Sequence, residues 1–158
     1  IEGNEEFIAR IRDQIGDLGL TTGANAMIDA LESFGGVRRV AVLTPYQPIG
    51  DRNVVQFFDE SGYEVAAIHG LCCVNTTDAI AGTPFSEVFD AVHKIDDDSV
   101  DAIVQVGTNL STADVFPTIE KMLGKPVIPI NLATSWHALR SSGVEDRFDG
   151  LGRLFEEF

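Results

Sequence analysis

The stretch RRVAVLTPYQPIGDRNVVQFFDESGYEVAAI, Arg38–Ile68, decides the fold. It reads as strand, turn, helix and strand. Val37–Leu43 (VRRVAVL) is a short apolar run rich in valine, the pattern of a buried strand. Thr44-Pro45-Tyr46-Gln47-Pro48 then breaks the run. Arg52–Glu60 (RNVVQFFDE) places Val54, Val55, Phe57 and Phe58 on one side of a helix. Glu64–Ile68 (EVAAI) supplies the next strand. Two strands joined through a helix run parallel, with a right-handed crossover.

The pattern repeats downstream. Val100–Val106 (VDAIVQV) and Pro126–Ile130 (PVIPI) read as further strands. The first three carry apolar runs expected of strands covered on both faces. Ser86–Lys94 groups Val88, Phe89 and Val92 on a helix. Thr118–Leu123 is another helix, stopped by Gly124 with Pro126 just beyond. The order βαβαβαβ predicts a doubly wound α/β domain with a four-stranded parallel sheet and flanking helices.

Further helices are predicted at Asn4–Leu18 and Gly23–Phe34 before the sheet, and at Ser135–Arg140 and about Asp149–Glu157 after it. The first carries Phe7, Ile8, Ile11 and Ile15 at helical spacing; the last carries Leu151, Leu154, Phe155 and Phe158. Neither is needed to complete a four-stranded layer, so both are expected to pack on something outside it. This divides the chain into helices at 1–35, a Rossmann-like domain at 36–135, and return and C-terminal helices at 136–158.

Composition narrows the function. The 158 residues are 44% hydrophobic, enough for a folded core. No apolar run approaches the roughly 18 residues of a membrane helix. There are 25 acidic and 11 basic residues, a net charge of −14. That balance argues against a nucleic-acid partner and against an anionic membrane surface. Cys72 and Cys73 are adjacent, a spacing that strains a disulfide, and no histidine or cysteine pair stands near for zinc. They read as small buried apolar residues, with a reactive thiol as the alternative, and the usage fits a reducing cytoplasm. His69, His93 and His137 read as rim, surface and packing residues. There is no GxGxxG, GxxxxGK[ST] or GxSxG motif, so no cofactor or metal is expected.

In an open α/β sheet, ligands bind beyond the carboxyl ends of the strands. Those ends carry Thr44-Pro45-Tyr46, then His69 to Asn75, then Gly107-Thr108-Asn109-Leu110-Ser111, then Asn131 with Thr134 and Ser135. The rim is rich in hydroxyl and amide groups and poor in charge. It suits a small anion held by neutral donors and helix N-termini. The plain alternatives are a turn with a half-buried Tyr46, and a connection in which Asn109 or Ser111 caps the next helix. A flavodoxin-like or response-regulator-like module fits the topology too, but no acidic cluster follows the first strand.

Three stretches carry a family resemblance: RRVAVLTPYQPIGDRNVVQFFDESGYEV, VGTNLSTADVFPTIEKMLGKPVIPIN and WHALRSSG. Together, over about Arg38–Gly143, they resemble the aspartate/glutamate racemase superfamily, in the branch of maleate cis-trans isomerases, arylmalonate decarboxylases and ectoine-utilisation proteins. The resemblance implies two similar α/β domains facing across a cleft. This chain would supply one full domain and part of the other. It implies cofactor-independent cysteine chemistry on a small carboxylate substrate, while the amphipathic helices at both ends point to a homo-oligomer. Tyr46, with Pro45, matches the TPY turn that contacts the substrate carboxylate. Thr108 and Asn109 match the carboxylate-binding loop, and Asn75 a substrate-binding asparagine. Gly107 stands where the family places its second cysteine. Two-thiol racemisation is therefore disfavoured, and one-thiol chemistry or non-catalytic carboxylate binding remains.

Overall fold

The computed structural model describes residues 2–16, 18–74 and 76–158. Its elements run α1 Glu2–Ile15, α2 Gly23–Phe34, β1 Arg39–Thr44, α3 Pro48–Glu60, β2 Glu64–Gly70, α4 Thr77–Ala81, α5 Phe85–Ile95, β3 Ala102–Gln105, α6 Phe116–Leu123, β4 Val127–Pro129, α7 Ile130–Ser141 and α8 Arg153–Glu157. The four strands form one all-parallel sheet in the order β2-β1-β3-β4. The predicted α/β sandwich is therefore the observed architecture.

Side chains alternate along each strand and feed two cores. Val40 and Val42 of β1 and Val104 of β3 face a layer holding Met27, Leu31, Phe58, Trp136 and Phe155. Ala41, Leu43 and Ile103 face the other layer, with Val88, Val92, Phe116 and Ile119. Burying Phe58 completely removes apolar surface worth about 2–3 kcal/mol. The helix ends follow local chemistry. The Thr22 side chain accepts a hydrogen bond from Asn25 N at the start of α2. Gly124 closes α6 in the left-handed region, at φ 68°.

Several expectations are corrected. β2 is an edge strand and only partly buried, so its apolar run is not covered on both faces. It also extends through His69 and Gly70, which sit in the strand rather than a loop. α3 begins at Pro48, since proline is well suited to the first turn of a helix. α7 begins at Ile130, five residues before the expected start at Ser135, which takes Asn131 and Thr134 into the helix. The C-terminal apolar residues need no outside partner: Leu154 and Phe155 are buried in this chain's own core, and Phe158 stacks edge-on against Phe34. α1 differs, with Phe7 51% exposed. Cys72 is exposed, not buried, and has a positive φ of 51°. Among the described residues, no helix is long and apolar enough to cross a membrane.

Candidate functional site

The ends of β1 and β3 are neighbours in the sheet, so their following loops meet. The β1 turn is held by backbone bonds from the segment after β2. Leu71, Cys72 and Cys73 donate N–H groups to the carbonyls of Thr44, Tyr46 and Pro45. Within the turn, the buried Thr44 hydroxyl accepts from Tyr46 N at 3.1 Å and donates to the Asp51 carboxylate. Asp51 lies in the first turn of α3, where a carboxylate suits the positive end of the helix. A strand end, a turn and a helix start are thus joined through one side chain.

This framework directs Tyr46 across the rim. Its ring lies over Gly50, where an added Cβ would fall 2.8 Å from Tyr46 Cβ. The far end of the ring reaches Gly107, where an added Cβ would lie 3.5 Å from Tyr46 Cζ. Burial pushes the Tyr46 phenol above its ordinary pKa, so the hydroxyl stays protonated and can donate a hydrogen bond.

The β3 loop is held as firmly. Gln105 is fully buried, and its amide donates to the Gly107 carbonyl at 2.7 Å. Its carbonyl oxygen accepts from the Thr112 hydroxyl at 2.9 Å. Leu110 N closes a turn on the same Gly107 carbonyl. From α7, the Asn131 amide donates to the Thr108 carbonyl at 2.9 Å. α6 starts only at Phe116 with Val115 before it, so neither Asn109 nor Ser111 caps it.

Between these loops and helices α2 and α3 lies a cleft of about 530 Å³. Tyr46, Gly107 and Thr108 line it, together with Gly50, Asn53, Val54 and Phe57 of α3. Gly23, Ala24 and Met27 of α2 form the facing wall, with Ile130. Among the described residues, no charged side chain lines it. Of the residues singled out from sequence, Tyr46, Gly107 and Thr108 come together. Pro45 is buried behind Gly107. Asn109 is exposed and does not line the cleft, and Asn75 lies outside the described residues. Gly50, Asn53 and Gln105 were not singled out. Asn53 lay inside the predicted Arg52–Glu60 helix, four residues before Phe57, and starting α3 at Pro48 would have added Gly50 three residues before Asn53.

The histidines lie away from this cleft's lining. His137 pairs with Asp29 at 2.8 Å and meets the Thr21 hydroxyl at 3.0 Å, tying α7 to α2. His93 is exposed and contacts the Phe89 carbonyl. No group of three or more His, Cys, Asp or Glu suited to a metal occurs among the described residues.

A parallel sheet with an uncharged cleft at its strand ends is an architecture of α/β proteins that handle small molecules. Residues 2–155 match the arylmalonate decarboxylase family, and the chain belongs to that family, with its Asp/Glu racemase-like fold. It is 28% identical over 158 residues to the arylmalonate decarboxylase of Bordetella bronchiseptica, covering 98% of this chain and 64% of that protein. It is 22% identical over 151 residues to the maleate isomerase of Alcaligenes faecalis, covering 92% of this chain and 59% of that one. A crystal structure of arylmalonate decarboxylase superposes with a TM-score of 0.86 at 28% identity, over 100% of this chain and 69% of that one. Maleate cis-trans isomerase of Nocardia farcinica, bound to TRIS, gives 0.88 at 25% identity, over 99% and 63%. The chain thus spans about six-tenths of the length of the curated relatives.

Proposed function

We propose that this chain forms one half of a cofactor-independent enzyme that acts on a small carboxylic acid by cysteine chemistry, as an isomerase or a decarboxylase. The observation that carries this is the convergence of Tyr46, Gly107 and Thr108 on one uncharged cleft at the strand ends. The protonated Tyr46 phenol binds the carboxylate, and the Gly107–Thr108 loop stabilises the enediolate that forms at the α-carbon. Gly107 has no proton to give. The proton therefore comes from a thiol that faces the cleft from the part of the relatives' length this chain does not span. Helices 1–35 bridge towards that part, and the assembly is a homo-oligomer.

The supporting experiment is a screen of maleate, phenylmalonate, aspartate and glutamate with the full-length protein, in a background carrying Cys72→Ser and Cys73→Ser. Isomerisation or carbon dioxide release that iodoacetamide abolishes is the expected result. Turnover that survives alkylation overturns the reading. Gly107 itself favours one other reading, a non-catalytic carboxylate-binding protein of the same fold. Saturable binding of an acid with no turnover of any would select it.

A further inference from the structure

We propose that Asn53 determines specificity for the substituent of the bound acid, and that this substituent is uncharged, with an apolar body and one hydrogen-bonding group. The inference rests on the carboxylic-acid reading above and adds what the rest of the ligand must be.

The cleft has a direction. Tyr46 seats its Cβ and near ring edge on Gly50 and carries the far end of its ring to Gly107, which sets the carboxylate end at the Gly107–Thr108 loop. Gly50, Asn53, Val54 and Phe57 then follow at i, i+3, i+4 and i+7, one face of the helix, and all four line the cleft. Asn53 stands about 4.5 Å of helix rise beyond Gly50, and Phe57 about 6 Å beyond Asn53. The ligand therefore runs from Tyr46 past Asn53 towards Phe57, with Met27 and Ile130 completing the lining.

What it meets there is apolar. Among the described residues, no Lys, Arg or His lines this face of the cleft. A second carboxylate laid against Met27, Phe57 and Phe58 would lose its hydration and gain no cation, which is costly. An aryl or branched alkyl body loses nothing there. Asn53 breaks this surface with one carboxamide that can donate and accept. Its side chain makes no hydrogen bond to any described residue. Asn53 is exposed at the open side of the cleft, and an acid carrying a hydroxyl, amide or carbonyl at that level gives it a partner.

The test is calorimetric titration of the protein with para-hydroxyphenylacetate, phenylacetate and succinate. Para-hydroxyphenylacetate should bind about three- to tenfold more tightly than phenylacetate, the range of one neutral hydrogen bond. Succinate should bind most weakly. Asn53→Leu should bring the two aryl acids within about twofold of each other, and Asn53→Lys should raise succinate affinity. The proposal is overturned if succinate binds as well as phenylacetate, if the hydroxyl advantage survives Asn53→Leu, or if none of the three binds. Failure of the catalytic reading looks different: these affinity ratios stand while turnover is absent or insensitive to alkylation.

Discussion

The ring of Pro45 occupies the space into which any side chain at position 107 would project. A Cβ built on Gly107 falls 2.6 Å from Pro45 Cδ and 2.7 Å from its Cγ. Gly107 also has a φ of +111°, a conformation that L side chains rarely adopt. Position 107 is therefore shaped around glycine in this backbone, and a thiol placed there requires the loop and the proline to move together.

That relationship gives the first prediction. Gly107→Ala should lower stability by about 2–4 kcal/mol, about 1–3 kcal/mol of it from backbone strain and the rest from the contact with Pro45. Pro45→Ala should recover part of the loss, so the double-mutant cycle shows coupling of about 0.5 kcal/mol or more. Urea unfolding of the four proteins measures it. Additive effects would mean that the loop relaxes without pressing on Pro45.

Gly50 separates stability from binding. It lies inside α3, where Gly→Ala ordinarily stabilises by about 1 kcal/mol through helix propensity. Here the new Cβ would stand 2.8 Å from Tyr46 Cβ, so the ring has to leave its seat. Gly50→Ala should leave the thermal midpoint within about 2 °C of the parent, the two effects offsetting, while acid binding in the cleft falls at least tenfold. Unchanged binding would show that the position of Tyr46 does not matter to the ligand.

The sheet was legible because buried parallel strands need uninterrupted apolar runs, and VRRVAVL and VDAIVQV have them. β2 was legible as a strand but not as an edge, since EVAAI is as apolar as a central strand would require. The TPY turn and the Gly-Thr-Asn loop were legible as strand ends. What holds them was not. The Thr44–Asp51 and Gln105–Thr112 pairs join residues seven apart across a strand end, and no periodicity marks such pairs. Gly50 was hidden by a helix boundary placed at Arg52 instead of Pro48, whereas Asn53 lay within the predicted helix but outside its apolar set. The exposure of Cys72 depends on a left-handed backbone turn that two small apolar residues do not announce.

Gln105 should prove essential to the loop although it does not line the cleft. Gln105→Leu keeps the volume but leaves the Thr112 hydroxyl, in a residue only 1% exposed, without its partner, and takes from the Gly107 carbonyl one of its two donors, the other being Leu110 N. One unsatisfied buried group costs about 1–3 kcal/mol, so a loss in that range is expected. Thr112→Val leaves the Gln105 oxygen unpaired but keeps the Gln105 amide on the Gly107 carbonyl, so it should cost a similar amount without loosening the loop. Hydrogen exchange at Leu110, whose N–H bonds the Gly107 carbonyl, should rise in the first variant more than in the second. Equal exchange in both would assign the effect to global unfolding.

Glu120 offers a pH signature. It is 3% exposed, and its two carboxylate oxygens accept from Val127 N at 3.1 Å and Arg153 N at 2.7 Å, fastening α6 to β4 and to α8. Burial raises its pKa above the ordinary carboxylate value, and the two N–H bonds oppose that rise without cancelling it. The folded state therefore holds its proton to higher pH than the unfolded state does. The resulting stabilisation is fully present below the unfolded pKa and is lost as pH rises through the folded pKa. Glu120→Gln does not titrate, and it can offer only one acceptor oxygen to the two N–H groups. It should be less stable by about 1–3 kcal/mol near pH 4.5. The gap between parent and variant should narrow as pH is raised towards 8. Urea unfolding of both proteins across that range checks the slope, and a gap that widens with pH would mean that Glu120 ionises more readily in the folded protein than its burial requires.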